Sequence, residues 1–187
     1  MAVDEGKYRY LPVIGLSALR DALSAYLRDT RSLNISPQNI VIAPGCKIAL
    51  FMAMMALIDP GDEVLYPDPG FPGYASITLG LGGAPVPFVL SSKNQLQPDP
   101  DEIEGKITPR TKILITNSPG NPTGTVYTDE VQRRLAELAV KHDLLGLSDE
   151  IYARIIYGAT YNSMMSYPRS EERAPVGEGS RNGLGHA

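Results

Sequence analysis

Short, uninterrupted apolar runs alternate along this chain with segments of helical periodicity, and no other feature constrains the fold as strongly. Ile113-Leu114-Ile115 sits inside the run Lys112–Thr116, and Leu144–Leu147 forms a second run. Each is too short for a helix, and neither alternates with polar residues. Both therefore read as strands covered on two faces. Glu63–Tyr66, Pro85–Leu90 and Ile40–Ala43 are further strand candidates bracketed by turn residues. Between them lie helical segments. Gly15–Arg28 places Leu16, Leu19, Leu23, Tyr26 and Leu27 on one stripe. Lys47–Ile58 is apolar and ends at Asp59-Pro60-Gly61-Asp62. Phe71–Leu81 is a third helix. Asp99–Lys106 is a short one, capped by Asp99 with Pro100 in its first position. Thr128 caps Asp129–Lys141, with Val131, Leu135, Leu138 and Ala139 facing inward. Strands joined through helices predict βαβ units, so the fold class is α/β: a three-layer sandwich with a mainly parallel sheet.

Composition narrows the function classes. With 17 Lys+Arg against 21 Asp+Glu the net charge is −4, so there is no basic field to attract nucleic acid or an anionic membrane. Cys46 is the sole cysteine, and His142 and His186 are the sole histidines, so neither a cysteine cluster nor a multi-histidine metal site is available. The apolar run Ile48–Ile58 is too short to span a bilayer and too far from the start to be a signal peptide. A cytoplasmic protein is expected. Residues 1–168 carry the folded pattern. Residues 169–187 have no apolar periodicity and are expected to form a polar, disordered tail.

The loop Asn117-Ser118-Pro119-Gly120-Asn121-Pro122-Thr123-Gly124 follows directly on the strand Lys112–Thr116. The carboxyl ends of parallel strands are where α/β sheets collect ligands. Two prolines and two glycines stiffen the loop, and a stiff loop can aim the amide of Asn121, which offers both a donor and an acceptor. The turn Gly45-Cys46-Lys47 joins a strand candidate to a helix, where free backbone N–H groups suit a phosphate.

Taken in order, these motifs resemble the class I/II aminotransferases, pyridoxal-phosphate enzymes of fold type I in the aspartate aminotransferase superfamily. The resemblance rests on Asn117–Gly124, followed by Ser148-Asp149-Glu150-Ile151-Tyr152. It is supported by Tyr8–Gly15, Ala43-Pro44-Gly45, Asp59–Val64 and Ile107–Lys112, and it spans Lys7 to Pro168. It implies that residues 1–168 are a partial cofactor-binding large domain, that pyridoxal 5′-phosphate is the cofactor, and that the family's homodimer is the assembly. It implies a reaction that moves an amino group from an amino acid to a 2-oxo acid.

The same resemblance assigns roles to residues. Asp149 would pair with the pyridine nitrogen and favour the protonated ring. Tyr152 and Asn121 would approach the 3′-oxygen. Gly45, Cys46 and Lys47 would hold the phosphate, and Phe71 would stack on the ring. Tyr10 would reach the phosphate of a neighbouring subunit. Asn117 reads as a residue that structures the loop. The family's Schiff-base lysine lies beyond the Asp-Glu-Ile-Tyr strand, and none of the six lysines (Lys7, Lys47, Lys93, Lys106, Lys112, Lys141) follows Asp149. No catalytic residue is assigned, and the chain is expected to be a truncated, inactive form.

Three other readings stay open from sequence. One is a lyase or decarboxylase on the same scaffold. The second is a non-catalytic fragment that binds cofactor or pairs with a full-length subunit. The third, a nucleotide-binding Rossmann domain, lacks a Gly-x-Gly-x-x-Gly turn. A chain ending near Pro168 is further expected to leave the strand faces Ile113–Ile115 and Leu144–Leu147 partly uncovered.

Overall fold

The computed structural model describes residues 10–158, 160–167 and the backbone of 176–177. The chain divides between Pro44 and Gly45 into two compact units.

The first unit is built on one helix, α1 (Ser17–Arg31). It ends where Ser32 turns left-handed, at a φ of 56°. The Ser32 and Leu33 N–H groups donate to the carbonyls of Arg28 and Leu27, which satisfies the last turn. The chain then runs back along the helix. Ser24 Oγ donates to Ile35 O at 2.6 Å, and Arg20 Nη1 donates to Pro37 O at 2.9 Å. Ile40–Ala43, expected as a strand, is not one. Besides the local turn from Ile40 N–H to Pro37 O at 3.3 Å, its backbone bridges to a distant segment once, Ile42 N–H to Ile14 O at 3.1 Å, and one bridge does not make a ladder. Gly15 makes that approach possible. Its φ is 97°, and a Cβ there would stand 2.5 Å from Ile42 Cγ1.

The second unit is a parallel α/β sandwich. Its elements are α2 (Cys46–Leu57), β1 (Glu63–Asp68), α3 (Gly73–Gly80), β2 (Ala84–Val89), α4 (Pro100–Gly105), β3 (Thr111–Asn117), α5 (Asp129–Lys141), β4 (Leu145–Asp149) and β5 (Val176–Gly177). The strand order is β2-β1-β3-β4-β5, and every pairing is parallel. β2 lies at the edge, which accommodates Pro85 and Pro87 within a strand. Of the tail 169–187, only the two-residue strand β5 is among the described residues.

Alternate residues of each strand feed opposite faces. Val64, Ile113, Ile115 and Leu147 pack with Leu50 and Met54 of α2 and Tyr74 of α3. Leu65 and Leu114 pack on the other side with Ile103 of α4 and Leu135 and Leu138 of α5. The expected layers are therefore present, and the strands are covered on both faces. This overturns the expectation of uncovered strand surface: Ile113, Leu114 and Ile115 are 0% exposed and Leu147 is 3%. Helices that precede residue 142 already supply both outer layers. Uncovered apolar surface lies instead on α2, where Ile48, Phe51, Met52 and Met55 stay 40–54% exposed.

Two of the sequence motifs meet at the amino ends of the strands. Glu63, at the start of β1, is buried. Its carboxylate accepts from Thr108 Oγ1 at 2.5 Å and Thr111 Oγ1 at 3.0 Å, and pairs with Arg110 Nη2 at 2.6 Å. Lys112 Nζ bridges Asp59 and Asp62 at 3.2 and 3.1 Å. The segments Asp59–Val64 and Ile107–Lys112 therefore staple β1 to β3. The Thr108 hydroxyl, then Arg110 and Thr111, hold the Glu63 carboxyl below its ordinary range against the opposing effect of burial.

Candidate active site

At the opposite ends of the strands, register brings the candidate residues together. Asn117 and Asp149 are the last residues of β3 and β4 and are paired across the ladder. Asn117 is buried and works as a brace. Its Nδ2 donates to the Asp149 carbonyl at 3.0 Å, and its Oδ1 accepts from the Asn121 N–H at 2.7 Å. One carboxamide thus ties the Pro/Gly loop to the end of β4, the loop-structuring part expected of it. Ser118 Oγ accepts from Tyr127 N–H at 2.9 Å and closes the far side of the loop. Ser118-Pro119, Asn121-Pro122 and, after β1, Asp68-Pro69 are cis peptide bonds.

The Asp149 side chain is 8% exposed. Its Oδ2 accepts a 2.7 Å hydrogen bond from the Tyr74 hydroxyl. Its Oδ1 accepts from the Ile151 N–H at 3.3 Å and lies 3.9 Å from Cys46 Sγ. Burial raises the carboxyl above the usual aspartate range. The Tyr74, Ile151 and Cys46 hydrogen bonds oppose that shift.

Cys46 opens α2, and Gly45 is its N-cap. Gly45 has a φ of 99° and supplies no capping side chain to the N–H groups of the first turn. A Cβ at Gly45 would meet nothing within 4 Å, so the backbone conformation, and not crowding, favours glycine here. Lys47 is exposed, and its Nζ lies 5.7 Å from the centre of the Phe71 ring. Phe71 is half-buried and meets Tyr74 edge-on, with centroids 5.5 Å apart and planes at 82°. Gly73 makes room for that ring, since a Cβ there would fall 2.1 Å from Phe71 Cε1.

Asp149, Cys46, Lys47 and Phe71 therefore gather at one site, with Asn121 linked to it through Asn117. Tyr152 is half-buried in the turn that follows β4, three residues past Asp149. Tyr10 belongs to the first unit, where its side chain is fully exposed. The sequence reading missed Tyr74, which is 0% exposed. A signal existed: Phe71 and Tyr74 stand three apart at a helix start and so share a face.

A prediction about stability follows from Asp149 alone. A carboxyl whose pKa is raised by folding favours the fold while protonated. It loses that contribution as pH rises from the unfolded value through the folded one. Above the unfolded value Asp149 therefore costs stability relative to an uncharged side chain. Asp149→Asn is expected to raise the thermal midpoint at neutral pH by roughly 2–4 °C, the equivalent of about 1 kcal/mol. The gain should shrink in acid. Calorimetry of both forms across pH checks this, and a lower midpoint for Asp149→Asn at neutral pH would refute it.

A buried carboxylate at a parallel strand end, an uncapped helix start beside it and an aromatic ring near both thus lie together at the carboxyl end of the sheet. Comparison with known proteins places this site further. The sequence model for aminotransferase class I and II matches residues 3–178, and the chain belongs to that family. It is 41% identical over 156 residues to the aspartate/prephenate aminotransferase of Thermus thermophilus, covering 83% of this chain and 40% of that protein. The fold superposes on the Thermus thermophilus aspartate aminotransferase solved with maleate, with a TM-score of 0.90 and 38% identity, over 94% of this chain and 45% of that one. It also superposes on the aromatic aminotransferase of Pyrococcus horikoshii, with a TM-score of 0.92 and 35% identity, over 96% and 48% of the two chains. The chain thus spans about two fifths of the length of the curated relatives it matches.

Proposed function

We propose that this chain forms the floor of a pyridoxal 5′-phosphate site in an aminotransferase that moves amino groups between an amino acid and a 2-oxo acid. One observation carries the reading. The buried Asp149 carboxylate has a fixed orientation at the end of β4, next to the uncapped first turn of α2 and close to the Phe71 ring.

The donor set fits this cofactor. A protonated pyridine nitrogen needs a carboxylate held in a fixed direction, and Asp149 supplies one. A phosphate needs N–H donors without a protein cap, and Cys46 and Lys47 begin such a helix. A flat heteroaromatic ring needs an aromatic face, and the Phe71 ring meets that of Tyr74, the residue that holds Asp149. When bound, the cofactor supplies an electron-poor ring that eases removal of the substrate α-proton. In that arrangement Asp149 would keep the ring nitrogen protonated, Asn121 and Tyr152 would serve the 3′-oxygen, and Phe71 would shield one ring face from water. Tyr10 would serve the site of a second subunit in a homodimer. The single cysteine and the acidic balance are in keeping with a cytoplasmic enzyme.

The test is equilibrium binding of pyridoxal 5′-phosphate to the chain, with Asn121→Ala and Tyr152→Phe as variants. Each removes one hydrogen bond and should weaken binding roughly 2–10-fold. Binding in the wild type too weak to saturate, or no response to either variant, would count against the reading. Gly73→Ala supplies a further check. Its methyl would push the Phe71 ring aside while suiting the helix backbone. Cofactor affinity should therefore fall several-fold, while the thermal midpoint moves by no more than a few degrees. Unchanged affinity would separate Phe71 from the cofactor.

A further inference from the structure

We propose that Tyr74 is a positioning residue for Asp149. Its phenol anchors carboxylate Oδ2, so that Oδ1 is the oxygen presented to the N–H of a ligand ring. The ligand part of this inference rests on the cofactor reading above; the Tyr74–Asp149 part does not.

The geometry supports it at both ends of the bond. On the acceptor side, the 2.7 Å contact from the Tyr74 hydroxyl is the shortest that Asp149 makes, and it falls on one oxygen only. The other oxygen holds weaker company, a 3.3 Å contact from the Ile151 N–H and a 3.9 Å contact from a thiol. A thiol is a poor donor and gives way easily to a cationic N–H. Oδ1 therefore keeps the capacity to accept, and Oδ2 does not compete for the same ligand.

On the donor side, Tyr74 has little freedom to leave. It is fully buried against Ile113 and Ile115, its ring is braced edge-on by Phe71, and Thr78 Oγ1 donates to its carbonyl at 2.8 Å. Burial and the neighbouring carboxylate hold the phenol proton on oxygen far above the usual tyrosine range, so Tyr74 stays a donor at every working pH. The titratable groups around this pair are Cys46 from α2, which touches Asp149, and the buried Tyr127, which acts on Tyr74 electrostatically. Neither supplies a second strong donor to Oδ2. The entry to α3 thus brings together Phe71, two residues before the helix, and the hydroxyl that sets the direction of Asp149.

The experiment is a carbon-13 titration of aspartate-labelled chain without cofactor, with the Asp149 resonance assigned by its loss in Asp149→Asn. In Tyr74→Phe the carboxyl should hold its proton about tenfold more tightly than in the wild type. Placing 3-fluorotyrosine at position 74 gives a more acidic phenol and a stronger donor, and should shift the midpoint the other way. That second variant preserves the packing and keeps the test decisive if Tyr74→Phe folds poorly. Unchanged midpoints in the folded variants would overturn the proposal. In parallel, pyridoxal 5′-phosphate should bind Tyr74→Phe about tenfold more weakly than wild type. If the carboxyl titration shifts but the wild type binds no cofactor, the Tyr74–Asp149 link stands and the cofactor reading falls. If the wild type binds cofactor and Tyr74→Phe binds it equally well, the presentation of Oδ1 by Tyr74 is refuted.

Discussion

Replacing Asp149 by alanine is expected to weaken binding of pyridoxal 5′-phosphate by on the order of 10²–10³, the largest functional effect in this molecule. Removing one partner of a buried charge-assisted pair costs about 3–5 kcal/mol, because the remaining charge is left without compensation. On the proposed reading that remaining charge would be the protonated ring nitrogen, and the carboxylate that would meet it is only 8% exposed. Asp149→Glu should recover part of the loss, since it restores the charge but displaces it from the oxygen positions fixed by Tyr74 and the Ile151 N–H. The order Asp149→Ala, then Asn121→Ala and Tyr152→Phe, is the discriminating content. Titration of each variant with the cofactor reads it directly. An Asp149→Ala protein that binds as tightly as Tyr152→Phe would show that Asp149 does not face the ring.

The second large effect is on stability and lies at the other end of the sheet. Glu63→Ala is expected to destabilise the second unit by about 2–3 kcal/mol, because it leaves the Thr108 and Thr111 hydroxyls without their acceptor and frees the β1–β3 staple. The Arg110 pairing adds little, since its side chain is 69% exposed. Glu63 also gives stability a pH dependence of opposite sign to that of Asp149. Folding lowers its pKa, so its contribution is present above the unfolded value and is lost as pH falls through the folded one. Urea denaturation of wild type and Glu63→Ala should therefore diverge at neutral pH and converge in acid. Parallel curves at all pH values would show that the carboxylate is not held by these partners.

What the sequence discloses, and what it conceals, divides along contact range. Local signals read well. Thr128 caps α5 through a bond from the Val131 N–H, and Asp99 caps α4 through the Asp101 N–H, as their positions suggest. Ile113–Ile115 reads as a two-faced strand because three apolar residues in a row must serve both faces. Ile40–Ala43 has the same local appearance but, among the described residues, no neighbouring strand to pair with, and no local signal reports that. Lys47–Ile58 is apolar almost all round, so periodicity could not show that Leu50 and Met54 face the sheet while Phe51 and Met55 do not. The site follows the same division. The motifs that carry Asp149 and Asn121 single them out as candidates. Tyr74 reaches Asp149 across 75 residues, and Arg110 reaches Glu63 across 47, and each pairing exists only once the strands are in register.

The most direct test is the protonation state of the cofactor ring in the bound state. Pyridoxal 5′-phosphate labelled with nitrogen-15 in the ring, bound to the chain, should show a protonated ring nitrogen at a pH where the free cofactor is unprotonated. With Asp149→Ala the bound fraction should show the unprotonated resonance. A wild-type complex whose ring nitrogen is unprotonated, or one whose protonation is unaffected by Asp149→Ala, would contradict the assignment of Asp149 and the site built around it.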